Sequence, residues 1–252
     1  MQQVKDKDLS FRLITYLDAP QQSGLGTSST LAVAILGAFV EWLKLPLGEY
    51  DIAKLAYEIE RTDLKMAGGK QDQYSATFGG INFMEFSGEK VIVNPLRIKE
   101  SHLDTLSQNL VLYYSNTSRS SSQIIHRQQK NVQNKDIQSI EAMHQLKRQA
   151  VMMKEALLGG DLDEIGRILD FGWNFKKQMA SGITNTKIDS IYSAAIVNGA
   201  TGGKISGAGG GGYMFFYCPG NTRFKVIEAL KKFGGHIERY SFSSQGLTTS
   251  IF

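Results

Sequence analysis

An α+β architecture is predicted by three features of the residue order. The chain opens on a strand-like run, a glycine loop and a long helical stretch. Its middle, from about residue 120 to 198, is helical throughout, and its end returns to a strand, helix, strand pattern. At 252 residues, 42% apolar and 21% charged, it can build one large core or two modest ones.

The elements follow in order. Leu9, Phe11, Leu13, Thr15 and Leu17 alternate along residues 9 to 17, which predicts a strand with one buried face, ended by Asp18-Ala19-Pro20. After a Gly/Ser turn, Leu31, Ile35, Ala38 or Phe39, and Trp42 recur at helical spacing, with Ser28, Ser29 and Thr30 placed to cap the start. A second helix is expected from about Glu49 to Asp63, turning Ile52, Leu55, Ala56 and Ile59 inward, before the turn at Gly68-Gly69. Ile81 to Phe86 and Lys90 to Val93 read as a hairpin around Ser87-Gly88-Glu89, and Leu110 to Tyr114 as a further strand. One helical stripe then runs Ile137, Ile140, Met143, Leu146, Ala150, Met153 and Leu157. Another holds Leu162, Ile165, Leu169 and Gly172, and a third Ile188, Ile191, Tyr192 and Ala195. Tyr213 to Cys218, a helix over about Thr222 to Phe233, and Ile237 to Phe242 complete the chain. A boundary near residue 106 divides it into domains 1–106 and 107–252.

Composition removes several function classes. The 28 Lys and Arg against 24 Asp and Glu leave +4 without a run of like charges, so nothing marks a nucleic-acid or membrane surface. The longest apolar stretch, Leu31 to Val40, is half of what a bilayer span requires. One cysteine, Cys218, forms no internal disulfide and reads as core; with a polar start that lacks a signal pattern, a cytoplasmic protein is expected. His102, His126, His144 and His236 are isolated, and Trp42 and Trp173 lie on helical stripes as packing residues.

Three glycine-centred sites can carry chemistry. Gly24-Leu25-Gly26-Thr27-Ser28-Ser29-Thr30 suits a phosphate, because glycines fold tightly round an anion and helix N–H groups point at it; an ordinary capped helix entry reads equally well. Gly68-Gly69-Lys70-Gln71-Asp72-Gln73 follows a helix holding Glu60. Asp72, Glu60 and Lys70 can serve as base, metal ligand and cation, or Asp72 and Gln73 can cap a turn while Glu60 pairs with Arg61 or Lys54 on a wet face. Lys204 to Gly212 contains G-x-G-x-x-G, but a strand follows it, and Ile205 stands where a Walker loop needs Ser or Thr. It is left as a loop able to lie flat against a ligand or a neighbouring segment.

In this order the three sites resemble the GHMP kinases, which move the terminal phosphate of ATP to small alcohols and sugars. Asp18-Ala-Pro-Gln-Gln-Ser-Gly24-Leu-Gly-Thr-Ser28-Ser is similar to the family's phosphate loop, with Thr27 for the usual serine, and Lys204 to Gly212 to its C-terminal glycine loop. Gly69-Lys-Gln-Asp72-Gln73 resembles the G-x-x-D-Q segment of the sugar-kinase branch. Tyr57-Glu-Ile-Glu60-Arg61 and Tyr114-Ser-Asn-Thr-Ser-Arg119-Ser120 are most similar to members acting on the anomeric hydroxyl of a phosphorylated heptose.

The resemblance implies a two-domain fold with a truncated N-terminal domain and a ferredoxin-like C-terminal α/β domain with added helices. The family's opening strand and early G-G-G-T-D segment have no counterpart here. It implies Gly24, Leu25, Gly26, Thr27, Ser28 and Ser29 around ATP, Ser28 and Glu60 on Mg2+, and Asp72 as base. Lys70, Gln73, Arg119, Gly207, Ala208 and Gly209 are then expected on the sugar phosphate or closing the site. The partners are ATP and a small sugar phosphate, with no nucleic acid and no membrane, and a second copy of the chain left open. A fucose- or galactose-type sugar-1-kinase, and a silent nucleotide-binding subunit, stay as alternatives.

Overall fold

Residues 10 to 17 have the alternation of a strand but join no ladder among the described residues, and Phe11, Ile14 and Tyr16 are 55%, 75% and 85% exposed. The strand expectation is corrected there. Alternation supplies a face, but a strand also needs a neighbour to take its N–H and C=O groups. The structure, a computed structural model, describes residues 10–20, 23–117 and 121–251.

Helix α1 (Thr27–Leu43) follows, and its buried side is Ser29, Val33 and Gly37 rather than the expected Leu31, Ile35 and Trp42. The helix is apolar nearly all round, so periodicity offers two faces. The winning face packs on Ile52 and Ala56 of α2 (Glu49–Glu58) and on Leu247 from the chain's end. Trp42 packs on Phe11 and Phe39, as a packing residue should, but on the open side of the helix, where it stays 46% exposed. A single π-helical turn, Ile59–Asp63, extends α2. It leads to α3 (Gln71–Phe78), a short helix to which the sequence pattern assigned no element. Next come the expected hairpin, β1 (Asn82–Ser87) with β2 (Lys90–Pro95), and α4 (Glu100–Asn109), in whose last turn residue 106 falls. The C-terminal tail returns to this unit: Gly80 donates to Ser243 O and Leu247 to Thr77 O, both at 3.0 Å.

The rest is a four-stranded sheet with helices. β3 (Leu110–Tyr114) precedes α5 (Ser121–Gln133), α6 (Ile137–Gly159), α7 (Leu162–Lys176) and α8 (Thr186–Val197). Then come β4 (Gly202–Ile205), β5 (Tyr213–Tyr217), α9 (Thr222–Lys231) and β6 (His236–Glu238). The strands are all antiparallel in the order β4-β5-β3-β6, the ferredoxin-like β-α-β-β-α-β arrangement with extra helices. Alternate residues of β3 and β5 feed two cores. Val111, Tyr113, Met214 and Phe216 face α8 and α9, where Trp173 and Cys218 are fully buried. Leu110, Phe215 and Tyr217 face α6 and α7 together with Leu106, Ile81 and Leu96.

Corrections here are local. Ile137 and Met143, on the predicted stripe of α6, are 84% and 42% exposed. The inner side is polar at its start, where Ser139 donates to Met179 O and accepts from Asn131. α9 stops at Lys231 and β6 at Glu238, each short of its predicted end. Lys204 and Ile205 belong to β4, so the glycine loop proper begins after them. Among the described residues no helix is long and apolar enough to cross a membrane.

Candidate functional site

The mouth of α1 is where the first two sequence sites meet. Gly26 occupies the N-cap position at φ 70°, a backbone conformation that L side chains rarely adopt, and no side chain caps the helix. The expected Ser/Thr caps are turned elsewhere: Thr30 donates to Gly26 O, while Ser28 and Ser29 donate to Glu60. The first N–H groups of α1, and the positive end of its dipole, are therefore left for an anion.

Glu60 anchors those hydroxyls. It continues the buried stripe Ile52, Ala56 of α2 into the π-helical turn and is 2% exposed, which removes the reading of a wet helix face. Ser28 Oγ meets Oε1 at 2.5 Å, Ser29 Oγ meets Oε2 at 2.6 Å, and the Gln73 amide also donates to Oε2. Burying a lone carboxylate costs several kcal/mol, whereas hydrogen bonds to a charged group contribute about 1.5–3 kcal/mol each, so three donors offset the burial. Burial pushes the carboxyl up, but the Ser28, Ser29 and Gln73 hydrogen bonds and the Arg61 guanidinium hold it below the usual carboxylate range. Gln73, expected on the substrate, is fully buried; its Nε2 holds Glu60 and Ser29.

Asp72 sits one residue before it on α3 and opens onto the helix mouth. A β-carbon added at Gly26 would lie 3.2 Å from Asp72 Cγ, which places the carboxyl directly beside the glycine loop that opens α1. Both line a cavity of about 340 Å3 with Gly24, Leu25, Thr30, Gln71 and Ser206. Desolvation raises the Asp72 pKa, Arg61 opposes the rise, and Glu60 adds to it; the net shift is upward, which strengthens the group as a base.

Arg61 was read from the sequence only as a surface partner for Glu60. Its NH2 lies 3.9 Å from Glu60, its Nε donates to Gly69 O at 3.3 Å, and its charge reaches Asp72. No periodicity signal marks it, because the widened turn that places it belongs to the folded chain. Glu60 did carry a signal: a charge on the i+4 continuation of an apolar stripe.

The third site meets the first. Ser206 Oγ donates to Gly24 O at 2.8 Å, and Tyr213 N to Ser23 O at 3.0 Å. Of the loop residues expected to close over a ligand, Gly207 lies against Gly24. Ala208 and Gly209 turn instead into the C-terminal core, Gly209 against Ile183. Lys70 does not join the cluster; its ammonium faces Gly88 O and Glu89 on the hairpin and the Tyr57 ring. Arg119 lies outside the described residues.

The oxygen donors suit a hard cation such as magnesium. Ser28, Ser29 and Glu60 gather there, and Gln73 Oε1 is buried with no partner, an acceptor left over beside them.

Comparison with known proteins gives a consistent result. Residues 1–80 match the model for the GHMP kinases N terminal domain, and residues 153–236 that for GHMP kinases C terminal. A D-glycero-alpha-D-manno-heptose 7-phosphate kinase from Campylobacter jejuni is 50% identical over 97% of this chain and 73% of its own length. The solved D-glycero-D-manno-heptose 1-phosphate kinase from Bacteroides thetaiotaomicron superposes with a TM-score of 0.73 at 42% identity. That match covers 92% of this chain and 64% of that one, so the chain spans less than two thirds of that structure. Galactokinase from Lactococcus lactis, at 17% identity and a TM-score of 0.66 over 90% of this chain and 68% of its own, shares the fold.

Proposed function

The chain belongs to the GHMP kinase family, and we propose that it transfers the terminal phosphate of ATP to the anomeric hydroxyl of a heptose 7-phosphate, giving the 1,7-bisphosphate. The observation that carries this is the single cavity shared by the uncapped mouth of α1 and the Asp72 carboxyl. One places the phosphate and the other the alcohol, which is what in-line displacement requires.

The free N–H groups of Thr27, Ser28 and Ser29 receive the nucleotide's terminal phosphates and stabilise the charge that spreads over them during transfer. Asp72 accepts a hydrogen bond from the anomeric hydroxyl, aims its oxygen at the phosphorus and takes the proton as the new O–P bond forms. The bond between the terminal phosphorus and the bridging oxygen of ADP breaks in the same step, so no covalent enzyme intermediate is required. Arg61 keeps the Asp72 carboxyl available in its charged form. Magnesium would be held by Ser28 and Glu60, and when bound it neutralises phosphate charge. Arg119 is assigned to the distal phosphate of the sugar on the local resemblance and its charge.

The test is 31P NMR of the chain with ATP, magnesium and a panel of heptose 7-phosphate, fucose and galactose. A new anomeric phosphate resonance with heptose 7-phosphate alone supports the reading. Transfer only to an unphosphorylated sugar replaces the substrate, and nucleotide binding without any transfer leaves a silent subunit.

A further inference from the structure

We propose that Lys176 and Lys204 form a two-ammonium seat for a phosphate group at the rim of the Asp72 cavity. The inference rests on the kinase reading only for its choice of ligands, the phosphates of the nucleotide or of the sugar.

The fold brings the two lysines together from distant parts of the chain. α7 lies directly on β4, where Gly166 and Gly202 let the two backbones touch, and at the far end of α7 its last residue, Lys176, reaches the backbone of Gly207, three residues after Lys204 of β4. Lys176 Nζ donates to Gly207 O, and Gly207 packs on Gly24 of the phosphate loop. Lys204 stands two residues before Ser206, which lines the cavity with Asp72. The pair thus flanks the seam between the two glycine loops.

Neither ammonium has a carboxylate partner among the described residues. Lys176 has a local explanation, since a cation at a helix C-terminus is favourable and its Nζ straps the Gly207 carbonyl. Lys204 has none: it makes no hydrogen bond or ion pair among the described residues, and its one charged-group contact is the Phe215 ring, 5.8 Å away across the strand pair. Burial pushes both lysines down, Lys176 to about 7 with the Lys204 charge adding to the effect. Holding two like charges half-buried and unpaired opposes folding, and a phosphate dianion would cancel both.

The experiment is calorimetric titration of inorganic phosphate, ADP and heptose 7-phosphate into the parent chain, Lys204→Met, Lys176→Met and, as a charge-matched control, Lys177→Met. The melting temperature of each unliganded protein is read alongside. Lys204→Met should raise that temperature and weaken inorganic phosphate at least tenfold. It should also weaken either ADP or the sugar phosphate by a similar factor, the one affected identifying the source of the group. Lys177→Met should leave all three affinities unchanged. Affinities within twofold of the parent in both Lys204→Met and Lys176→Met overturn the proposal, as does a lower unliganded melting temperature for Lys204→Met, which would make it a structural lysine. Lys204-dependent phosphate binding by a chain that neither binds nucleotide nor transfers phosphate would sink the kinase reading and leave this one standing. Turnover with unchanged affinities would do the reverse.

Discussion

The two glycine loops that meet at the cavity are alike in composition and opposite in use. In the first, Gly26 bends the chain so that the N–H groups of α1 stay open, and the nearest obstacle to a side chain there is Asp72 itself. In the second, Gly212 is needed because another backbone fills the space: a β-carbon there would lie 2.3 Å from Ser23 O. Glycine clusters therefore mark close approach without saying of what. At Gly26 the first loop leaves its space open beside Asp72, whereas at Gly212 the second has already used its space on the chain.

That contrast can be broken by substitution. The largest effect is expected from Asp72→Asn, which should lower turnover by about 10²–10⁴ while sparing nucleotide affinity, read by steady-state kinetics beside calorimetry. Gly212→Ala should instead destabilise by about 3 kcal/mol, combining a left-handed residue with a clash that backbone cannot relieve, measured by urea denaturation. Gly26→Ala should cost only about 1 kcal/mol in stability, yet reduce turnover about 10²-fold by shifting the Asp72 carboxyl. If the two alanine variants exchanged these behaviours, the division between an open and a filled loop would be wrong.

A smaller effect follows from pH. Lys176 is pushed from its ordinary 10.5 to about 7, so between those values the unfolded chain binds more protons than the folded one. Stability of the unliganded protein should therefore rise as pH increases from about 7, and Lys176→Met should flatten the slope. A fall in stability over that window would contradict the placement of the ammonium.

The sequence showed much of the fold because its signals are local. The hairpin, the strand at Leu110 and the stripes of α7 and α8 all depend on short-range periodicity, and all appear. What it missed depends on neighbours. Residues 10 to 17 alternate but find no ladder, and α1 has apolar residues on two faces, so only packing against α2 and Leu247 selects one. The same holds at the site. Spacing placed Asp72 and the phosphate loop in view. The burial of Gln73, the displacement of Lys70 to the hairpin, the placement of Arg61 beside Glu60 and that of Lys176 on Gly207 arise from tertiary contacts that no motif encodes.

The most direct measurement is a crystal structure of the chain with a non-hydrolysable ATP analogue and heptose 7-phosphate. The terminal phosphate should rest on the N–H groups of Thr27 to Ser29, with the anomeric oxygen within hydrogen-bond reach of Asp72 and in line with the phosphorus. A nucleotide seated away from α1, or a sugar whose anomeric oxygen lies beyond the reach of that carboxylate, would contradict the account.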